Sequence, residues 1–181
     1  MEWLFGKITE IQEKEYEEIY SVLSQSRKAH IDRLKTSEAR KRSLMGEGLI
    51  RRLLKDNGIE AKVERAESGK PYLKNCPYYI SISHSDEAVV AAISEKPVGI
   101  DIERLRPVSE RLIKRAAMAH EAEYIMEASG EERDRRFFEI WTMKEALFKK
   151  SDTTRREFLS IDTKGTPKES FIIEDYLITI V

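Results

Sequence analysis

In the run Val98-Gly99-Ile100-Asp101-Ile102-Glu103 the alternation is strict. Val98, Ile100 and Ile102 fall on one face of an extended chain, and Asp101 and Glu103 fall on the other. Two carboxylates spaced in this way can share one hard cation, and magnesium takes one or two carboxylates together with waters and phosphate oxygens. Taken alone, the hexapeptide reads more simply as an amphipathic strand with a wet face. Gly99 favours the chemical reading, because it leaves room for a ligand to approach the backbone beside the acids. In Trp141-Thr142-Met143-Lys144-Glu145-Ala146-Leu147-Phe148-Lys149, Glu145 and Lys149 lie one helical turn apart, on a face the aromatic residues do not use. On an isolated helix this is an ordinary surface pair of about 0.3 to 0.5 kcal/mol. Brought beside Asp101 and Glu103, Glu145 becomes a third carboxylate and Lys149 a cation that neutralises phosphate charge.

Smaller signals accompany these two. Ile80-Ser81-Ile82-Ser83-His84-Ser85 is an apolar strand closing in a polar cluster, so His84 is expected where the chain leaves the sheet and can reach a ligand. A lone strand-end histidine is more often a turn residue with a satisfied hydrogen bond. Gly69-Lys70-Pro71 reads as a turn with a stiff exit and an exposed cation. Arg40 and Ser43, three apart on a basic helix, can hold one phosphate between guanidinium and hydroxyl, or can simply face water.

The elements that must position these groups are legible in the periodicities. Tyr16, Ile19, Tyr20 and Leu23 form one amphipathic helical stripe. A second helix buries Met45, Leu49, Ile50, Leu53 and Leu54 and ends at Asn57-Gly58. Residues 27–55 hold ten Lys or Arg against three Asp or Glu, an excess of +7 that predicts an anionic partner. From residue 61 the texture turns to strands: KVERA, YYISIS, AVVAAIS and VGIDIE. Ser109 can cap a helix through Leu112, Ile113, Ala116 and Ala117. A longer helix, from about Glu132 to Lys150, buries Phe137, Ile140, Trp141, Leu147 and Phe148. The last thirty residues read as strands again, FLSID and SFIIEDYLITIV, about a Gly165-Thr166-Pro167 turn. Helices, strands, helices, strands is the order of an α+β fold of two similar halves, approximately 1–95 and 96–181, although no repeat is visible in residue identities.

Composition excludes several classes. The 181 residues suit a single domain with a real core, 40% apolar and 36% charged. A net charge of −1 is unsuited to general nucleic-acid binding, so any phosphate affinity must come from a local basic cluster. Cys76 alone can make no internal disulfide, which fits a reducing, cytoplasmic compartment. No window approaches the roughly 18 apolar residues of a membrane span, and the acidic residues close to Met1 do not resemble a secretory leader.

Taken together, Gly69-Lys70-Pro71, Ser81-Ile82-Ser83-His84-Ser85, Val98-Gly99-Ile100-Asp101-Ile102-Glu103 and Trp141–Lys149, in this order and spacing, resemble the 4′-phosphopantetheinyl transferases. The resemblance spans roughly residues 37–150 and is to the surfactin-synthetase-activating type, with two pseudo-symmetric α+β halves on one chain. It implies that the phosphopantetheine arm of coenzyme A is moved to a serine of an apo acyl- or peptidyl-carrier protein, with release of 3′,5′-ADP. It also implies that Asp101, Glu103 and Glu145 hold magnesium, that Glu145 is the base for the serine, and that Lys149 and His84 meet phosphate oxygens. Lys70, Pro71 and Ser83 are implied around the nucleotide. Arg65, Arg40 and Ser43 are candidates for the 3′-phosphate, with Lys41 and Arg42 as neighbours that could substitute for Arg40. The carrier is expected to be acidic, and the enzyme a monomer. Where many relatives carry a glycine-containing loop after the long helix, this chain reads Ser151-Asp152-Thr153-Thr154-Arg155-Arg156. Two other classes use part of the same equipment. A magnesium-dependent phosphohydrolase would put water in place of the serine, and a non-catalytic module would bind an anionic partner through residues 27–55.

Overall fold

Six α-helices and eight strands form among the residues that the computed structural model describes, 1–151 and 158–181. The strands make small antiparallel sheets, so the protein is α+β, and the chain divides into two units, Met1–Lys96 and Pro97–Val181. The segment 151–156 read from the sequence lies, apart from Ser151, outside the described residues.

The first unit runs β1 (Glu2–Lys7), α1 (Glu13–Ser21), α2 (Gln25–Asp32), α3 (Ser37–Asp56), β2 (Lys62–Arg65), β3 (Pro71–Lys74), β4 (Tyr79–Ser85) and β5 (Ala88–Ser94). β5 is the centre of a three-stranded sheet, order β1-β5-β4, and its residues from Ala88 to Ile93 are all buried, as an apolar run covered on both faces should be. Thr36 starts α3 by accepting a hydrogen bond from Ala39 N at 3.1 Å, and Gly58, at φ +63°, takes the left-handed turn beyond its end. The apolar face of α3, Met45, Leu49, Ile50 and Leu53, forms one core with Ile80, Val89 and Ala91. Tyr16 of α1 donates to Ile8 O at 3.0 Å and shares a second cluster with Leu23, Ile31 and Leu44. The sequence does not announce α2, because Ile31 is its only buried residue and no apolar stripe repeats. β4 also differs from expectation. It continues through His84 to Ser85, with His84 opposite Val89, and turns only at Asp86, whose φ is +49°.

The second unit runs β6 (Ile100–Arg104), α4 (Glu110–Ala116), α5 (Ala119–Met126), α6 (Gly130–Lys150), β7 (Glu169–Ile173) and β8 (Tyr176–Ile180), with sheet order β6-β8-β7. Ser109 caps α4 by accepting from Leu112 N at 3.3 Å. Phe137, Phe138 and Ile140 of α6 form a core with Ile113, Ile125 and Leu177, and Thr142 shares a buried hydrogen bond of 2.7 Å with Thr179 of β8. Two expectations are corrected here. Phe158–Ser160, within FLSID, is a single 3₁₀ turn instead of a strand, because Phe158 lies edge-on to Trp141 and Phe148 of α6 with ring centroids 5.3 and 5.7 Å away. SFIIEDYLITIV is not one strand but a hairpin. It folds at Glu174, at φ +54°, and Asp175, which accepts from Arg104 Nε at 2.5 Å.

Both units repeat one plan: a first strand, three helices, then a hairpin whose last strand inserts beside the first. The β2–β3 hairpin is the addition in the first unit. Among the described residues no helix is long and apolar enough to cross a membrane.

Candidate active site

β6 carries Ile100 and Ile102 into the core, while Asp101 and Glu103 alternate to the other face. That face is not simply wet, since Asp101 is only 4% exposed. Its Oδ1 accepts from Lys149 Nζ at 2.5 Å, across 48 residues of sequence, and Lys149 also reaches Ile100 O at 3.4 Å. The strand motif and the helix motif therefore meet within one unit. Glu103 is half-buried and lies 3.5 Å from Arg106 Nη1. Glu145, also half-buried, is one turn before Lys149 on α6.

Gly99 sets the depth of this contact. A Cβ there would lie 1.8 Å from Ala146 O and 2.9 Å from Lys150 N. The missing side chain thus makes room for the last turn of α6, and not for a ligand as the sequence suggested. The turn that carries Glu145 and Lys149 is seated directly against the chain two residues before Asp101.

Lys144, within the same helical motif, has a different task. It is fully buried and pairs with the 2% exposed Glu121 at 2.7 Å. Glu121 also accepts from Met118 N at 2.8 Å, at the start of α5, and from Thr163 Oγ1 at 2.9 Å. His120 stands 3.2 Å from Asp162, and among the described residues His120, Glu121 and Asp162 are the three whose ligand-type atoms lie within 4.8 Å of one another. Lys144 already supplies the positive charge there, so the cluster serves as a clasp between α5, α6 and the segment before β7. Burial opposes ionisation of Glu121, but the bonds from Lys144, Met118 and Thr163 together hold its carboxyl below the usual range. A depressed carboxylate contributes stability above its unfolded value and loses it as pH falls through the lower folded value. The Glu121→Gln variant should accordingly unfold about 3 kcal/mol more easily at neutral pH. Its stability should also vary less with pH on the acid side, as thermal unfolding between neutral and strongly acidic pH will test.

In the first unit Gly69, at φ +87°, closes the β2–β3 hairpin, Lys70 is half-buried behind it, and Pro71 begins β3 opposite Arg65. Ser83 is buried and His84 exposed, on opposite faces of β4. Arg40 and Ser43 do not converge. Arg40 donates to Leu34 O and Asp32 O and so fastens the α2–α3 connection, whereas Ser43 accepts from Arg27 Nη2 at 2.6 Å. The residues overlooked in the sequence are Arg27 and Glu47. Glu47 Oε1, on a side chain only 4% exposed, accepts from both Arg27 Nε at 2.7 Å and Arg65 Nη2 at 2.6 Å. Burial and the neighbouring Arg65 pull the Arg27 guanidinium below its ordinary value, and Glu47 opposes both. The available signal was Glu47 itself, an acid between two glycines on the apolar side of a basic helix.

With this geometry in hand, comparison with known proteins gives a consistent answer. A family model for the 4′-phosphopantetheinyl transferase superfamily matches residues 97–178, and one for the 4′-phosphopantetheinyl transferase N-terminal region matches residues 10–96. The chain belongs to the 4′-phosphopantetheinyl transferase family. Its relatives include the 4′-phosphopantetheinyl transferase HetI of Nostoc sp., 30% identical over 87% of this chain and 71% of the relative. The transferase gsp of Aneurinibacillus migulanus is 35% identical over 82% of this chain and 65% of its own length. The transferase psf-1 of Bacillus pumilus is 31% identical over 75% and 60%. The chain thus spans somewhat less than two thirds of the length of several relatives, including gsp and psf-1.

Proposed function

We propose that this protein is a magnesium-dependent 4′-phosphopantetheinyl transferase that acts on coenzyme A and an apo acyl- or peptidyl-carrier protein. The observation that carries the reading is the buried meeting of Asp101 on β6 with Lys149 on α6, which unites the two chemistry-bearing motifs in one place. Asp101, Glu103 and Glu145 are all hard oxygen donors, the set magnesium takes, and they would hold it. Bound there, magnesium would supply charge neutralisation at the pyrophosphate.

The protein's own groups do the rest. Glu145 accepts the proton of the carrier serine as the serine oxygen bonds to the phosphorus that bears pantetheine. The P–O bond to the nucleotide breaks, and 3′,5′-ADP leaves with the electron pair. Lys149 orients Asp101 and offsets negative charge on the phosphates, so positioning and electrostatics carry most of the catalysis, as in other phosphoryl transfers. In the first unit, Lys70, Pro71, Ser83 and His84 are assigned to the nucleotide. Arg65, Ser43 and Arg27 are assigned to its 3′-phosphate, since Arg40 is taken up by Leu34 O and Asp32 O while Arg27 reaches Ser43. The +7 excess at residues 27–55 suits an acidic carrier. A cytoplasmic monomer completes the reading.

No observation favours the hydrolytic alternative. Incubation with magnesium, coenzyme A and a panel of apo-carriers, read by intact mass, tests the choice. Carriers should gain the phosphopantetheine mass on one serine, and chelation of magnesium should stop the gain. Steady release of 3′,5′-ADP without any carrier would instead mark a hydrolase.

A further inference from the structure

One carboxylate oxygen holding two guanidiniums in a largely buried setting is an uncommon arrangement, and it is not explained by folding alone. Glu47 Oε1 takes both Arg27 Nε and Arg65 Nη2, while Arg65 Nη1 is tied to Gly69 O at 3.2 Å and Arg27 Nη2 to Ser43. These bonds leave a donor over. Among the described residues Arg65 Nε is buried without an acceptor. A cluster whose purpose was only to fasten α2, α3 and β2 together would be expected to satisfy its buried donors. His30, three residues after Arg27 on α2, has its pKa lowered first by burial and then by Arg27, Arg65 and Arg33, which reports the positive field locally.

We propose that Glu47 is a positioning residue that pre-assembles Arg27 and Arg65 as a two-guanidinium receptor for a phosphate monoester. Two like charges this close separate unless a carboxylate lies between them, and fixed guanidiniums bind phosphate better than free ones because their ordering is complete before the ligand arrives. The proposal deepens the transferase reading and rests on it for the identity of the ligand, the 3′-phosphate of coenzyme A. The sign of the effect is diagnostic. Removing the Glu47 charge raises the net positive charge of the cluster, so simple Coulomb attraction predicts tighter anion binding, whereas loss of positioning predicts weaker binding.

The test uses Glu47→Gln, with Glu47→Asp as a second, charge-retaining variant. Inorganic phosphate is titrated while the His30 ring is followed by NMR, and affinity for coenzyme A, KM, kcat and the unfolding midpoint are measured in parallel. In the wild type, phosphate should raise the His30 pKa. In Glu47→Gln both phosphate affinity and KM for coenzyme A should worsen by about tenfold, with kcat at saturation within about twofold, and Glu47→Asp should recover part of the loss. Unchanged or tighter phosphate binding in Glu47→Gln, or a drop in unfolding midpoint with both affinities intact, overturns the proposal. If Glu47→Gln does not fold, a Glu47→Asp variant that binds phosphate as weakly as Arg27→Met overturns it too, and graded recovery supports it. Phosphate binding that depends on Glu47, without coenzyme A binding, would keep the receptor and overturn the transferase reading.

Discussion

Glu145→Gln is expected to lower carrier modification by about 10²- to 10⁴-fold, the range that general-base catalysis contributes, while affinity for coenzyme A changes only a few-fold. Glutamine keeps the size of the side chain and one oxygen donor but cannot accept the serine proton. The helical turn that carries residue 145 is held by contacts the substitution leaves alone, Ala146 against Gly99 and Lys149 on Asp101. The effect should therefore fall on the chemical step, in kcat with single-turnover rates to match, and not on the fold. Near-normal transfer by this variant would remove Glu145 from the mechanism.

Gly99→Ala is expected to cost about 5 kcal/mol or more, at the extreme of single substitutions. The added methyl would lie 1.8 Å from Ala146 O, and the obstacle is helix backbone, which cannot swing aside as a side chain can. Gly99 is fixed on its other side as well, since it exchanges two hydrogen bonds with Val181 at 3.1 and 3.0 Å. Either α6 moves off β6, separating Lys149 from Asp101, or the second unit unfolds. Chemical denaturation would register the loss, and a midpoint within 1 kcal/mol of the parent would show that the contact is looser than described.

The elements with strong periodic patterns were legible in the sequence: α3, α6, β5, and the alternation that turns Ile100 and Ile102 inward. What escaped was set by tertiary contact. α2 is held by Ile31 and by Arg27 instead of by an apolar stripe, and Phe158 is drawn to Trp141 and Phe148 although its local sequence suggests a strand. The strand and helix acids stand out by residue type and spacing, but the occupant of the space beside Gly99, the last turn of α6, does not, because nothing in one dimension tells whether a ligand or a helix fills the space beside a glycine. Arg27 escapes the sequence for a similar reason. Spacing along one helix suggested a partner for Ser43, and the actual partner comes from another element 16 residues earlier. The repeated plan of the two units lies in the order of strands, which residue identities do not reveal.

That order has a kinetic consequence. In each three-stranded sheet the middle strand, β5 or β8, is the last of its unit to be synthesised, and it pairs Glu2 with Ile93 in one case and Ile100 with Ile180 in the other. On a ribosome adding about 5 to 20 residues per second, β1 and β6 must wait, unpaired, until nearly the whole unit has emerged, while the helices between them can already form. Loops of this length are slow to close, so sheet completion should limit the folding rate. A nascent chain arrested before Ala88 has helices and an exposed strand but no sheet centre, which makes it the stage most open to aggregation.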